Sequence, residues 1–299
     1  MVIAFSGETE FIQRLNSGRF NGRIHSVFNK VINISDADNN QLYTIGCRSV
    51  DNAPNTLVIN LNNLNELNLF QHQPVFINHN KLIINHQLSV SFERVNLWRC
   101  ELPEYISHHR VIEQSINLLT ERIEQMGIGG GIKAITDREI TPFEQQMSVQ
   151  LSLATRELIS CLARGDMVQI APWVNRCVGL GIGLTPAGDD FLVGLCAVLA
   201  MPGNPARGCL SQLYQAISQC GSQTNPISYM AISKAAQGLV RESIVDLLAA
   251  MVGGNKNHLI AKIDAVLKIG STSGTDIATG MLAGLELSQK LGEATCLQK

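Results

Sequence analysis

Gly179-Leu-Gly-Ile-Gly-Leu-Thr-Pro-Ala-Gly-Asp-Asp190, continued at once by Phe191-Leu-Val-Gly-Leu-Cys-Ala-Val-Leu199, is the stretch on which the reading of this chain turns. Glycines at 179, 181, 183 and 188 let the backbone take positive φ and let a ligand come close. Thr185 has the side chain of a helix N-cap, and Pro186 suits the first helical position. The spacing predicts a glycine-rich loop feeding the N-terminus of a buried helix, with Asp189 and Asp190 in its first turn. Such a place can host a small polar ligand or a metal.

The same grammar recurs downstream. Gly270-Ser-Thr-Ser-Gly-Thr-Asp276 opens a second apolar stretch, Ile277 to Leu287. Gly183, Thr185 and Asp189 are spaced as Gly270, Thr272 and Asp276 are, and Ser273 with Asp276 has the spacing of a capping box. Two readings stay open. The loops converge on one ligand, or they are two ordinary helix starts, because Thr, Ser and Asp are favoured there for capping and dipole reasons alone. Capping does not account for the glycine density of the first loop.

Working outward, residues 1–103 differ in texture from residues 104–299. The first part is rich in Asn and in short β-like runs. Val31-Ile-Asn-Ile34, the turn cluster Ser35-Asp-Ala-Asp-Asn-Asn40 and Gln41-Leu-Tyr-Thr-Ile-Gly46 read as a hairpin. Leu57–Leu61 and the alternating Leu88-Ser-Val-Ser-Phe92 are further strands. After Pro103 the period becomes helical. Thr141-Pro-Phe-Glu144 is a capping box, followed by the face Phe143, Met147, Leu151, Ala154, Leu158 and Cys161. Asn225-Pro226 starts a long helical stretch ending near Gly253-Gly254, and Leu259, Ile263, Val266 and Leu267 form another apolar face. Gly280 and Gly284 share one side of the last helix and permit close helix contact. The expected fold is α+β: a small, mostly antiparallel β-rich domain over 1–103, barrel-like or sandwich-like, then a larger helical domain over 104–299 carrying both glycine-rich loops. Gly127-Ile-Gly-Gly-Gly131, between two helices, reads as a flexible connection.

Bulk properties exclude several classes. A hydrophobic content of 45% with 16% charged residues describes a soluble, well-packed protein. Net charge −2 and a pI of about 6.4 leave no electrostatic footprint for nucleic acid. No apolar run reaches the ~18 residues of a membrane span, and the start has neither the basic nor the apolar region of a signal peptide. The eight cysteines show no Cys-x-x-Cys pair and no zinc-ligand spacing, which fits thiols in a reducing cytoplasm.

Chemistry is confined to the two loops. There is no Walker A sequence, no Rossmann arrangement and no Gly-x-Ser-x-Gly. His108-His109 reads as a solvated pair, Arg241 with Glu242 as an exposed one, and Ser228-Tyr229 as a place of tight packing. Backbone amides at a helix start attract anions, but Asp189, Asp190 and Asp276 oppose a bare phosphate. Three uses remain for the carboxylates: holding Mg²⁺ at Asp189 and Asp190, accepting hydrogen bonds from an amide or carbamoyl NH₂, or serving as general base.

Gly181, Gly183-Leu184-Thr185-Pro186, Asp189-Asp190 and Gly194, with Gly270, Ser273-Gly274 and Asp276, resemble the signature of a bacterial family long catalogued as of unknown function, which includes the AllH-type subunit of oxamate carbamoyltransferase. Ser228-Tyr229 and Ala235-Ala-Gln-Gly238 resemble it too. Ile182 and Ala187 depart from its pattern; the second removes a hydroxyl, so that position is not a site. The resemblance implies one subunit, beside two larger companions, of a cytoplasmic enzyme of allantoin and purine nitrogen catabolism that converts oxalurate and phosphate to oxamate and carbamoyl phosphate. Asp189, Asp190 and Asp276 are then the catalytic candidates, Gly181, Gly183, Thr185, Ser273 and Gly274 the substrate-binding ones, and Mg²⁺ the candidate cofactor. Two alternatives stand beside it: a stand-alone metal-assisted hydrolase or transferase acting on a small amide or phosphate compound, and a non-catalytic scaffold or ligand-sensing subunit.

Overall fold

Strand-forming sequence organises the first hundred residues. The computed structural model describes residues 2–39, 41–106 and 109–297, and the chain divides into Met1–Cys100 and Glu101–Lys299. In the first unit the elements run β1 (Val2–Glu8), α1 (Thr9–Asn16), β2 (Asn21–Val27), β3 (Val31–Asp36), β4 (Leu42–Cys47), β5 (Thr56–Ile59), β6 (Pro74–Asn78), β7 (Lys81–Ile84), β8 (Leu88–Ser91) and β9 (Asn96–Trp98). They form one sheet in the order β5-β4-β3-β2-β6-β7-β8-β1-β9, and β1 also pairs with β5, which closes it into a barrel-like ring. The β3–β4 hairpin runs from Val31↔Gly46 to Ser35↔Leu42, where the apolar runs and their turn cluster place it. Most pairings are antiparallel, but β1–β8, β1–β9 and β4–β5 are parallel.

The interior of the ring is filled by alternate strand residues such as Ile24, Ile34, Ile45, Leu57, Leu82 and Val90. Helix α1 adds Phe11, Ile12 and Leu15 to it. Its start is capped by Glu8, whose carboxylate accepts the amides of Glu10 and Phe11 at 2.9 Å. Its far end is tied to β3 by Arg14, which donates to the buried Asp36 at 3.0 Å.

The second unit is helical: α2 (His109–Met126), α3 (Pro142–Arg164), α4 (Met167–Cys177), α5 (Ala187–Leu199), a short 3-10 turn (Arg207–Cys209), α6 (Leu210–Ser218), α7 (Pro226–Ala235), α8 (Glu242–Gly253), α9 (Lys256–Leu267) and α10 (Ser273–Leu297). The architecture is therefore α+β. Helix α5 is its axis, because every residue of α5 is buried. Helix α10 lies along it so closely that a Cβ at Gly194 would strike the Ile277 carbonyl, and one at Gly280 the Phe191 carbonyl. Helices α3, α4, α6, α7 and α8 also touch α5. Among the described residues no helix is long and apolar enough to cross a membrane.

Several sequence expectations need correction. Phe143 is not on the buried face of α3 but 60% exposed, because it sits in the first turn, ahead of the packed positions Leu151, Ala154, Leu158 and Cys161. The capping box at Thr141 and Glu144 forms as read. The stretch from Pro226 to Gly253 is two helices: Gly238, at φ +80, turns the chain between α7 and α8. Of the His108-His109 pair, His108 and the side chain of His109 lie outside the described residues, as does Asn40 in the hairpin turn.

Candidate functional site

The first glycine loop folds back on the helix it feeds. Gly179, Gly181 and Gly183 take φ of +75, +132 and +108. The Leu180 carbonyl accepts the Gly188 amide at 2.9 Å, and the Pro186 carbonyl accepts those of Asp189 and Asp190 at 3.0 and 3.1 Å. The helix therefore begins at Ala187 with Pro186 in the capping position, one residue later than the sequence predicts. Thr185 is not the N-cap. Its hydroxyl is released from that duty and lies 2.8 Å from the Ser273 hydroxyl, at the start of α10.

That contact joins the two loops, 88 residues apart in sequence. At the second, the Gly274 amide donates to Ile269 at 2.9 Å and the Asp276 amide to Thr272 at 3.0 Å. A Cβ at Gly274 would strike the Val266 carbonyl, so this glycine serves the turn from α9 into α10. The Asp276 side chain reaches to a further segment of the chain. It accepts the Ile132 amide at 2.8 Å and a hydrogen bond from Thr272.

Ile132 belongs to a third segment that joins the other two. Residues 127–132 do not form a free connection. The Ile128 amide donates to the Thr275 hydroxyl at 2.9 Å, and a Cβ at Gly131 would fall on the Asp276 carboxylate. Lys133 fastens the segment to the end of α2, its ammonium donating to the carbonyls of Ile123, Glu124 and Gly127 at 2.9, 2.8 and 2.6 Å.

The adjacent aspartates part company. Successive helix residues point about 100° apart, and the structure uses the difference. Asp189 is 0% exposed and already engaged, accepting from the Gly179 amide at 2.8 Å, the Thr224 hydroxyl at 2.5 Å and the Ser228 hydroxyl at 2.7 Å. It clasps the first loop and the start of α7 to α5. A Mg²⁺ ion chelated by Asp189 and Asp190 together does not fit this arrangement, because the oxygens of Asp189 are spoken for by donors. Among the described residues no group of three or more His, Cys, Asp or Glu side chains is placed to hold a metal.

Asp190 instead lies where the charge of Asp276 acts on it. Asp190 is 6% and Asp276 0% exposed, and each has one carboxyl oxygen, Oδ2, buried without a hydrogen-bond partner. Burial drives the Asp190 carboxyl up to about 7; hydrogen bonds from Ser273 and Thr185 oppose the rise, and the charges of Asp276 and Asp189 add to it. Burial likewise lifts Asp276 to about 6, against the Ile132 amide and the Thr272 hydroxyl. Both helices point their N-terminal, positive dipole ends toward these carboxyls.

The structure thus brings Thr185, Asp190, Ser273 and Asp276 together and sets Asp189 to one side. Gly181 presses on the start of α5, where a Cβ would meet the Ala187 amide, and Gly183 lies in open space. Sequence reasoning took Gly131 for part of a flexible connection and stopped short of Ile132, because a glycine run without periodicity does not reveal what it packs against. It took Ser228 for a packing residue, because its spacing from Asn225 shows a helix start and nothing of what its hydroxyl reaches.

Comparison with known families covers both units. The model described as oxamate carbamoyltransferase subunit AllH matches residues 177–285, which span both loops and α5. The model described as AllH family N-terminal domain matches residues 3–97. No solved structure matches the chain.

Proposed function

We propose, because the chain belongs to the AllH family, that it is one subunit of an oxamate carbamoyltransferase and contributes Asp190 and Asp276 to the active site of the assembled enzyme. The observation that carries this reading is the pair of buried carboxyl oxygens without partners, ringed by hydroxyls and by three loops. Burying an acceptor unpaired costs about 1–3 kcal/mol or more. A scaffold has no use for two of them, whereas a site that binds a polar substrate does. We place the enzyme in the cytoplasm, in the breakdown of allantoin and purine nitrogen, on the strength of the family.

The reaction in this reading converts oxalurate and phosphate to oxamate and carbamoyl phosphate. A phosphate oxygen bonds to the carbamoyl carbon, the bond from that carbon to the oxamate nitrogen breaks, and the nitrogen leaves with the electron pair and takes up a proton. Asp190, at about 7, carries a proton over much of the neutral range that it can give to this nitrogen, and take back in the reverse direction. Acid–base catalysis is most effective when the group's pKa lies near the working pH. A protonated carboxyl also removes part of the repulsion that would otherwise keep phosphate away. Thr185 and Ser273 orient the Asp190 carboxyl, and the Ile132 amide holds Asp276.

Ile128, Ile182 and Leu184 are exposed on the first and third loops. A companion subunit seated on them would exclude water, and exclusion of water strengthens every electrostatic interaction inside. The test is phosphate-dependent breakdown of oxalurate by the purified chain, by the chain with each companion, and by all three together. Turnover is expected in the complete mixture and little or none from the chain alone. Full turnover by the chain alone would mean a stand-alone enzyme, and none from a stable complete complex would remove this substrate.

A further inference from the structure

The two partnerless oxygens constrain which part of a substrate can lie between them. Each is an acceptor when ionised, each is buried, and they belong to two helix N-termini tied together by the Thr185–Ser273 contact. The charges that act on Asp190 are those of Asp276 and Asp189, with no cation among them. The ammonium of Lys133 is committed to three main-chain carbonyls. An anion placed here would meet two carboxyls, and among the described residues no cation figures among the charges that shift Asp190. A divalent ion would ask for six or so oxygen ligands, of which the aspartates supply two unpartnered ones. A primary amide nitrogen meets the requirement: it carries two N–H donors diverging in one plane and no charge.

We propose that Asp190 Oδ2 and Asp276 Oδ2 form the subsite for the reacting –NH₂ of a small primary amide, one N–H directed to each carboxyl, with the phosphate bound elsewhere in the assembled enzyme. This rests on the carbamoyl-transfer reading and deepens it by giving this subunit the nitrogen end of the substrate. In the direction of carbamoyl transfer to the amide, the nitrogen bonds to the carbamoyl carbon, phosphate leaves, and the proton shed by the nitrogen goes to the Asp190 carboxylate. The phosphate-binding cations then belong to the companion subunits.

Calorimetric titration of the full chain with oxamate, N-methyloxamate and N,N-dimethyloxamate tests it. At pH 8, above the values of both carboxyls, affinity should fall in that order, on the order of 10-fold for each N–H removed, as expected for hydrogen bonds to charged acceptors. Asp276→Asn should weaken oxamate and leave the dimethylated compound unchanged. The methylated series is measured on the unaltered chain, so the test survives a variant that fails to fold. Equal affinity across the series, no binding of oxamate, or binding of Mg²⁺ alone or inorganic phosphate alone that Asp276→Asn abolishes would each overturn the proposal. Graded amide binding without oxalurate turnover in the complete complex would uphold the subsite and sink the carbamoyltransferase reading. Turnover without N–H discrimination would do the reverse.

Discussion

Asp190 keeps a proton in the folded chain at pH values where an unfolded one has lost it, and this has a measurable sign. The carboxyl moves from the ordinary 3.8 to about 7 on folding, chiefly through burial. Between those values the folded state binds more protons than the unfolded, so the stability linked to this group is fully present below 3.8 and is lost as pH rises through 7. Asp276, raised to about 6, acts in the same direction. Asp190→Asn should therefore melt higher than the wild type at pH 8, the gap closing as pH falls toward 4; a gap independent of pH would show the carboxyl to be ionised throughout. Asp189 is predicted to behave differently. Asp189→Ala strands the Gly179 amide and the hydroxyls of Thr224 and Ser228, and should cost about 3 kcal/mol or more in denaturant unfolding. At this scale the sequence showed the two aspartates and not their division of labour. Which of two neighbouring buried carboxyls is taken up by donors depends on where Thr224 and Ser228 arrive, 35 and 39 residues later, and no local pattern holds that.

Elements were legible wherever a local signal was complete. The capping box at Thr141, the Asn225-Pro226 start of α7, the apolar face of α9 and the β3–β4 hairpin each rest on residues within one turn or one hairpin. A barrel-like or sandwich-like β domain was expected, but which strands close the ring was not legible, because β1 pairs with β5, β8 and β9 at once and its partners lie far along the chain. Gly280 and Gly284 of α10 were readable as permitting a close helix contact, and they make a sharp prediction. Gly280→Val drives its side chain into the backbone of α5 at Phe191 and should destabilise by about 3 kcal/mol; a loss under about 1 kcal/mol in urea unfolding would mean that the helices separate easily. Gly131→Ala should act on function instead. Its methyl group displaces the Asp276 carboxyl, so activity in the complete complex should fall at least tenfold while the melting temperature moves by only a few degrees. If melting moves and activity does not, the 127–132 segment is structural alone.

At the scale of the molecule, each unit owns a core. The buried cluster of the first runs from Ala4 to Phe92 and draws on residues of the strands, of α1 and of the segments between them. Residues 1–100, expressed alone, should therefore give a β-type circular dichroism spectrum and a cooperative melt; a disordered chain would show that this core needs the second unit. The change from period two to period 3.6 near residue 103 was visible in the sequence because it repeats over many residues. The meeting of residues 127–132, 179–190 and 270–276 was visible only as a shared grammar between the last two, since convergence is settled by packing around α5.

Helix α5 has no face to the solvent, and that gives the protein an internal clock. Its backbone amides beyond the first turn are hydrogen-bonded within the helix, and all thirteen of its residues are buried beneath other helices. No fraying end can bring water to them; only an excursion that unpacks the surrounding helices can do so. Deuterium uptake along 191–199 should then be the slowest in the chain and report the free energy of unfolding the whole helical unit. The loop amides of 179–183 should take up label sooner. Oxamate held between Asp190 and Asp276 should slow both groups, because it staples the starts of α5 and α10 into one piece.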